Sequence, residues 1–287
     1  MNITTRADLE GPHGPRVSVP FRLALANGAL TLAILSCAGI TGTSFLSPAE
    51  FGPVPEGPSA DEGLTEENPQ TLLEQAVAAY RAADYAAAKG LLDSAIALDP
   101  TNAEATFYRG RSWYKLGDLA QALADFDSTL GLAPQHAGAY YYRGRVLYRA
   151  ARYAEAVEDL GHALTLDPQN AQAYLYRGRA LYRLERYTEA VQDESQAIAL
   201  QPGLADAYYY RGRAHYKLGG YYEAAADMDQ VIALDPEHAG AYFYRARAYA
   251  KVDAITRAVQ DLQQALSLSL SDNLRARAEA LLAELQP

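Results

Sequence analysis

The chain is expected to fold all-α, as a row of stacked helix pairs, and three observations lead there. Pro100, Pro134, Pro168, Pro202 and Pro236 stand 34 residues apart, and a fixed period marks a repeat architecture. Within each period, apolar residues recur at helical spacing in two stretches separated by a Gly, Asp or Arg turn. No stretch shows the apolar-polar alternation of a strand. Each proline lies just beyond the second stretch, where it ends that helix and disfavours helical geometry in the residue before it.

Residues 1–22 form an irregular segment rich in Pro and Gly, with Arg16 and Arg22 near its end. Residues 23–47 carry no charged side chain and include the apolar run LALANGALTLAILSCAGI. A basic flank before such a run reads as a secretory signal or a membrane anchor, because a helix apolar all round must otherwise be buried. Three outcomes stay open within that reading. Ile34-Leu35-Ser36-Cys37 resembles a bacterial lipobox, which would make Cys37 the lipidated first residue of a mature lipoprotein. Ser36-Cys37-Ala38 also has the small-x-small form of a cleavage site that releases a soluble protein. The segment can equally stay uncleaved as a single anchor. The expected location is therefore exported or membrane-anchored, on the periplasmic side of a bacterial-type envelope. A cytoplasmic protein with a buried or disordered N-terminal helix is the alternative. Residues 48–68 combine four prolines with six acidic residues and no basic one, the composition of an extended, self-repelling linker.

The repeats occupy 69–272 as six units: 69–102, 103–136, 137–170, 171–204, 205–238 and 239–272. Residues 273–287 then read as a capping helix that solvates the last unit. Net charge across the 287 residues is −10, so whole-chain attraction to nucleic acid or anionic lipid is not expected. A local basic surface remains open, because all 22 tyrosines and nearly all Lys and Arg fall within the repeats. The single Cys37 excludes an intrachain disulfide and a multi-cysteine metal site. No Gly-rich phosphate loop after a strand, no metal-ligand spacing and no nucleophile-base set appears, so neither an enzyme nor a cofactor is expected.

Numbered within a unit, position four is large, eight small, twenty and twenty-seven small, twenty-four bulky and thirty-two proline. Tyr140, Gly144, Ala156, Ala163, Leu160 and Pro168 hold these places in one unit; Tyr208, Gly212, Ala224, Val231, Met228 and Pro236 hold them in another. This pattern resembles the tetratricopeptide repeat family over 69–272, with Leu270 departing from the proline slot. The resemblance implies a right-handed α-solenoid whose first helices line a concave inner surface. Family peptide clamps use Lys at position five and Asn at nine; Tyr141 and Arg145 stand there, so that chaperone-tail specificity is not implied.

The hexapeptide YYYRGR occurs at 140–145 and again at 208–213, with near-copies in three other units. Its residues take positions four to nine, and helical geometry divides them between two faces. At position seven, Arg109, Arg143, Arg177, Arg211 and Arg245 each precede by sixteen residues an aspartate: Asp125, Asp159, Asp193, Asp227 and Asp261. The first unit has Gln75 and Leu91 instead, losing both partners together. Five structural ion pairs between paired helices follow, since an unpaired, partly buried guanidinium would cost several kcal/mol.

The opposite face carries Arg111, Arg145, Arg179, Arg213 and Arg247 at position nine, continued at thirteen by Lys115, Arg149, Arg183, Lys217 and Lys251. Tyr108, Tyr142, Tyr176, Tyr210, Tyr244 and Tyr141 interleave with them, as do Tyr114, Tyr148, Tyr182 and Tyr216. Such a surface suits an extended acidic peptide or protein segment, because Arg grips carboxylates in two-pronged fashion and Tyr adds rigid contact area. The competing reading has Tyr and Arg stacking on one another over a solvated face. Basic-aromatic grooves also track single-stranded nucleic acid, but the acidic chain and the packing role of Gly144 oppose it. A protein-interaction scaffold is thus expected, with a self-assembling structural protein of the envelope, and hence a homo-oligomer, as the alternative.

Two exceptions stand inside the array. Glu194 takes the bulky position twenty-four, and His215 takes position eleven of the next unit. Packing of one unit on the next is expected to bring the pair together, each satisfying the other. His136 and His238, with Asn102 and Asn170, read as turn or cap residues, and His162 as exposed.

Overall fold

The computed structural model describes residues 68–286; the 1–22 segment, the 23–47 run with Cys37 and the linker up to residue 67 lie outside the described residues. Thirteen helices follow one another there: α1 Pro69–Arg81, α2 Tyr85–Leu98, α3 Ala103–Leu116, α4 Leu119–Leu132, α5 Ala137–Arg149, α6 Tyr153–Leu166, α7 Ala171–Arg183, α8 Tyr187–Leu200, α9 Ala205–Leu218, α10 Tyr221–Leu234, α11 Ala239–Lys251, α12 Ile255–Ser267 and α13 Asp272–Leu285. They stack as six pairs, with α13 against the last, in an all-α solenoid. Among these helices none is long and apolar enough to cross a membrane.

Local chemistry sets the ends. Five of the six first helices begin on side-chain caps: the Asn68, Asn102 and Asn170 carboxamides, and the Nδ1 atoms of His136 and His238, each accept from a backbone N–H of the first turn, while α9 starts at Leu204 without one. Asp84 and Asp118 do the same for α2 and α4. Between the helices of a pair, position fifteen is left-handed in every unit. Gly117 and Gly219 adopt it freely, whereas Ala83, Ala151, Glu185 and Asp253 hold φ near 60° with a Cβ present.

Within a pair, close approach depends on position eight. A Cβ on Gly144 would lie 2.7 Å from Leu160 Cγ, and one on Gly212 would lie 2.6 Å from Met228 Cε. Ala88, Ala122, Ala156 and Ala258 at position twenty are fully buried on the facing helix. Each second helix also packs on the next first helix, as α2 does on α3 and α10 on α11. First helices of successive units touch one another while second helices do not, so the array bends with the first helices on its inner side.

At the far end α13 closes the core. Ala278 is fully buried with Phe243, Leu262 and Ala265, and Leu274, Leu281 and Leu282 pack around them. Arg275 Nη2 donates to the Leu266 and Leu268 carbonyls at 3.4 Å, placing a cation at the open end of α12.

Candidate interaction surface on the first helices

The position-seven arginines turn toward the second helices. Arg143 Nε and Nη2 each donate to Asp159 at 2.7 Å, and Arg177 makes the same two contacts with Asp193 at 2.7 Å. Arg109 grips Asp125 at 2.9 and 2.7 Å, Arg245 grips Asp261 at 2.8 and 2.7 Å, and Arg211 Nη2 reaches Asp227 at 2.6 Å. All five aspartates are buried. The remaining edge points backward to the preceding unit: Nη1 of Arg109, Arg143 and Arg245 donates to Asp93, Asp127 and Asp229 at 3.0, 2.7 and 2.6 Å. Arg211 Nη1 reaches Ser195 Oγ at 3.2 Å. Each of these arginines therefore staples its own pair and ties it to the one before. Arg177 is the exception, since Gly161 stands where the backward partner should be. Burial pushes the Asp193 carboxyl above its ordinary value despite the pull of Arg177.

The backward row was missed in the sequence, although the signal was present. The same sixteen-residue spacing, counted toward the N-terminus, lands on Asp93, Asp127, Ser195 and Asp229.

The position-nine arginines face the inner side but are not free. Arg145 lies 4.6 to 5.3 Å from the ring centres of Tyr114, Tyr141, Tyr142 and Tyr176. Arg213 has Tyr182, Tyr209, Tyr210 and Tyr244 at 4.7 to 5.3 Å. Arg111 and Arg179 sit in corresponding boxes, each assembled from three successive units. The Nε atoms of Arg111, Arg145, Arg179 and Arg213 are buried without a hydrogen-bond partner. Arg145 Nη2 donates to the Tyr176 hydroxyl at 3.2 Å, and Arg179 Nη1 lies 3.8 Å from Asp206. A two-pronged grip through the Nε edge is thus closed at these four residues, and the stacking alternative describes their geometry. Tyr141 is one wall of such a box; burial pushes its hydroxyl well above the ordinary range, against the opposing pull of Arg145. Arg247 takes its rings from two units, Tyr216 from the preceding one and Phe243 and Tyr244 from its own, at 4.4 to 5.8 Å.

Position thirteen supplies the accessible charge. Lys115, Arg149, Arg183, Lys217 and Lys251 are exposed at the last turns of their helices, and Arg81 extends the row into the first unit. Lys115, Arg183 and Lys217 lie over Tyr85, Tyr153 and Tyr187 at 5.8, 5.1 and 5.9 Å. Ion pairs among the described residues involve none of the six. On the second helices the exposed charges are largely acidic, among them Glu155, Glu158, Glu189 and Glu223.

Glu194 and His215 do not meet. Position twenty-four of a second helix points at position eight of its own first helix, so Glu194 packs on Gly178, where a Cβ would lie 2.7 Å from Oε1. The side chain is fully buried and neither oxygen has a hydrogen-bond partner. Burial, with the nearby Asp193 charge adding to it, pushes this carboxyl well above the carboxylate range. His215 instead faces its own second helix, with Nε2 4.0 Å from Asp227 Oδ2. His162 is exposed beside Tyr140.

Tetratricopeptide repeat models match residues 73–137, 115–170 and 141–205, and a further one matches 205–238. The chain belongs to the tetratricopeptide repeat family. Among solved tetratricopeptide repeat structures, YrrB is 25% identical over 66% of this chain and 97% of its own, with a TM-score of 0.59; it is described as having an unusual peptide-binding site. MamA is 25% identical over 55% of this chain and 92% of its own, with a TM-score of 0.53. A repeat protein from Parabacteroides merdae ATCC 43184 is 20% identical over 75% of this chain and 87% of its own, TM-score 0.62, a likeness of fold alone. No curated protein sequence matches the chain.

Proposed function

We propose that this tetratricopeptide repeat array is a protein-interaction scaffold that holds an extended, acidic partner segment along its inner face. The carrying observation is the row of exposed cations at position thirteen, unpaired within the described residues and standing beside rigid Tyr-Arg boxes. The boxes lose little rotamer freedom when a partner docks, and the cations supply attraction and register. The peptide-binding site of YrrB supports the ligand class. Recognition, without chemistry, is the whole mechanism: the position-nine arginines shape the floor and the position-thirteen cations meet the carboxylates.

Charge reversal at Arg149, Arg183 and Lys217 tests this, because these side chains are exposed and make no ion pair among the described residues, Arg149 having one long hydrogen bond to the Tyr114 carbonyl at 3.4 Å. In crosslinked affinity capture from cells, the triple Glu variant should lose the acidic partner while its melting temperature stays put. Unchanged capture together with an altered oligomer size would favour the self-assembly alternative instead.

The same proposal places the scaffold at the cell envelope, tethered through residues 23–47 with Cys37 as the lipid attachment. Mass spectrometry of the membrane fraction should find an N-terminal peptide beginning at a lipidated Cys37. Recovery of the intact, unmodified chain from the cytosol would count against the tether.

A further inference from the structure

We infer that the first-unit end of the inner face anchors one doubly charged oxyanion, such as a phosphoryl monoester on an aromatic side chain. The inference rests on the reading of this face as a partner site and specifies its chemistry at one end. An open cavity of about 330 Å³ lies between α1, α2, α3 and α5. Its charged lining is Arg81, Arg111 and Lys115 alone; the remainder is tyrosine, including Tyr80 and Tyr142. Four other surface cavities each include a carboxylate beside their cations: Asp127 and Asp159 with Arg143, Asp193 with Arg177, and Glu284 with Arg247 in two of them. In those places the chain neutralises itself. Here three positive charges converge with no carboxylate in the lining, and a dianion relieves their mutual repulsion better than a single carboxylate can.

Arg111 is already fixed between Tyr80, Tyr142 and Tyr108 at 4.5, 4.8 and 4.9 Å, so little ordering remains to be done on binding. Arg81 and Lys115 stand exposed on flexible stems at the rim, and tyrosine hydroxyls add neutral donors. The volume is at the small end of the roughly 300–1,000 Å³ of ligand pockets, which suits one side-chain group of a longer segment. One unit further on, Leu119 replaces Tyr85, and Arg149 leans back to donate to the Tyr114 carbonyl at 3.4 Å. The same lining recurs in sequence around Arg213, with Arg183, Lys217 and the matching tyrosines, and the open cavity at the first end is what points to that place.

Titration calorimetry of the full chain with phenyl phosphate at low salt tests this, with inorganic phosphate, benzoate and phenol as comparisons. Saturable one-to-one binding is expected, about tenfold tighter than for benzoate or inorganic phosphate and absent for phenol. Arg81→Ser with Lys115→Ser should weaken it about tenfold without moving the melting temperature, while Arg149→Ser with Arg183→Ser should leave it intact. Equal loss from both pairs, or equal affinity for benzoate or inorganic phosphate, overturns the anchor. Absence of phenyl phosphate binding, with partner capture still abolished by the Arg149, Arg183 and Lys217 reversals, sinks the anchor and leaves the scaffold reading standing. If those reversals also leave capture intact, both fall.

Discussion

Gly161→Asp should give Arg177 the backward partner that three of its counterparts possess. Those counterparts hold Asp93, Asp127 and Asp229 at 3.0, 2.7 and 2.6 Å, so the geometry of the missing contact is known from the same chain. A Cβ built on Gly161 meets nothing nearer than Arg177 Nη1 at 3.8 Å, and the new side chain enters open space. Replacing a mid-helix glycine with aspartate gains about 0.3 kcal/mol from propensity. A charge-assisted hydrogen bond at a half-exposed site adds about 0.5–1 kcal/mol after solvent screening. The expected total is about 1 kcal/mol. Urea unfolding followed by circular dichroism should resolve it, with Gly161→Asn as the neutral isostere and Arg177→Met as the second arm. Aspartate should exceed asparagine by about 0.5–1 kcal/mol, the excess shrinking in salt and vanishing without Arg177. Equal effects of Asp and Asn, or a gain that survives Arg177→Met, would refute the backward staple.

Glu194→Leu should stabilise the array by about 1–3 kcal/mol, the cost of a buried carboxyl with no partner, since Leu160 already fits the same place against Gly144. Because folding raises this carboxyl, its contribution is fully present below about pH 4.3 and is lost as pH climbs through the raised folded value. Urea midpoints from pH 5 to 9 should therefore fall more steeply for the native chain than for Glu194→Gln. The raised Asp193 acts with the same sign in both proteins, and its charge is part of what raises Glu194; matching profiles would rule the account out. Ala151→Gly relieves a left-handed residue at φ 59°, and thermal melts should show a gain of about 0.5–1 kcal/mol after glycine's larger unfolded freedom is discounted. A lower melting temperature would contradict it.

The helix pairs were legible because two periods are superposed in the sequence, 34 residues for the unit and 3.6 for each helix. Arg143 and Asp159 could be paired from spacing alone, since both lie inside one unit, where geometry follows from the hairpin. The boxes around Arg145 and Arg213 were harder. Each gathers rings from three units, Tyr114, Tyr142 and Tyr176 in one case, and depends on the rotation between units, which no spacing encodes. Arg145 was accordingly expected to present its full guanidinium edge, whereas its Nε is enclosed. The direction of Glu194 failed for a related reason. A bulky position in a second helix touches two neighbours, and the small residue at position eight of its own partner draws the side chain inward.

The central claim is a division of labour: position-nine arginines build the floor, and position-thirteen cations do the recognising. Calorimetric titration of a glutamate-rich peptide into the full chain, paired with thermal melts, tests it most directly. Arg149→Ser, Arg183→Ser and Lys217→Ser together should cut affinity at least tenfold with an unchanged melt, whereas Arg145→Met with Arg179→Met should chiefly lower the melting temperature. Peptide affinity that survives loss of the exposed row would contradict the account.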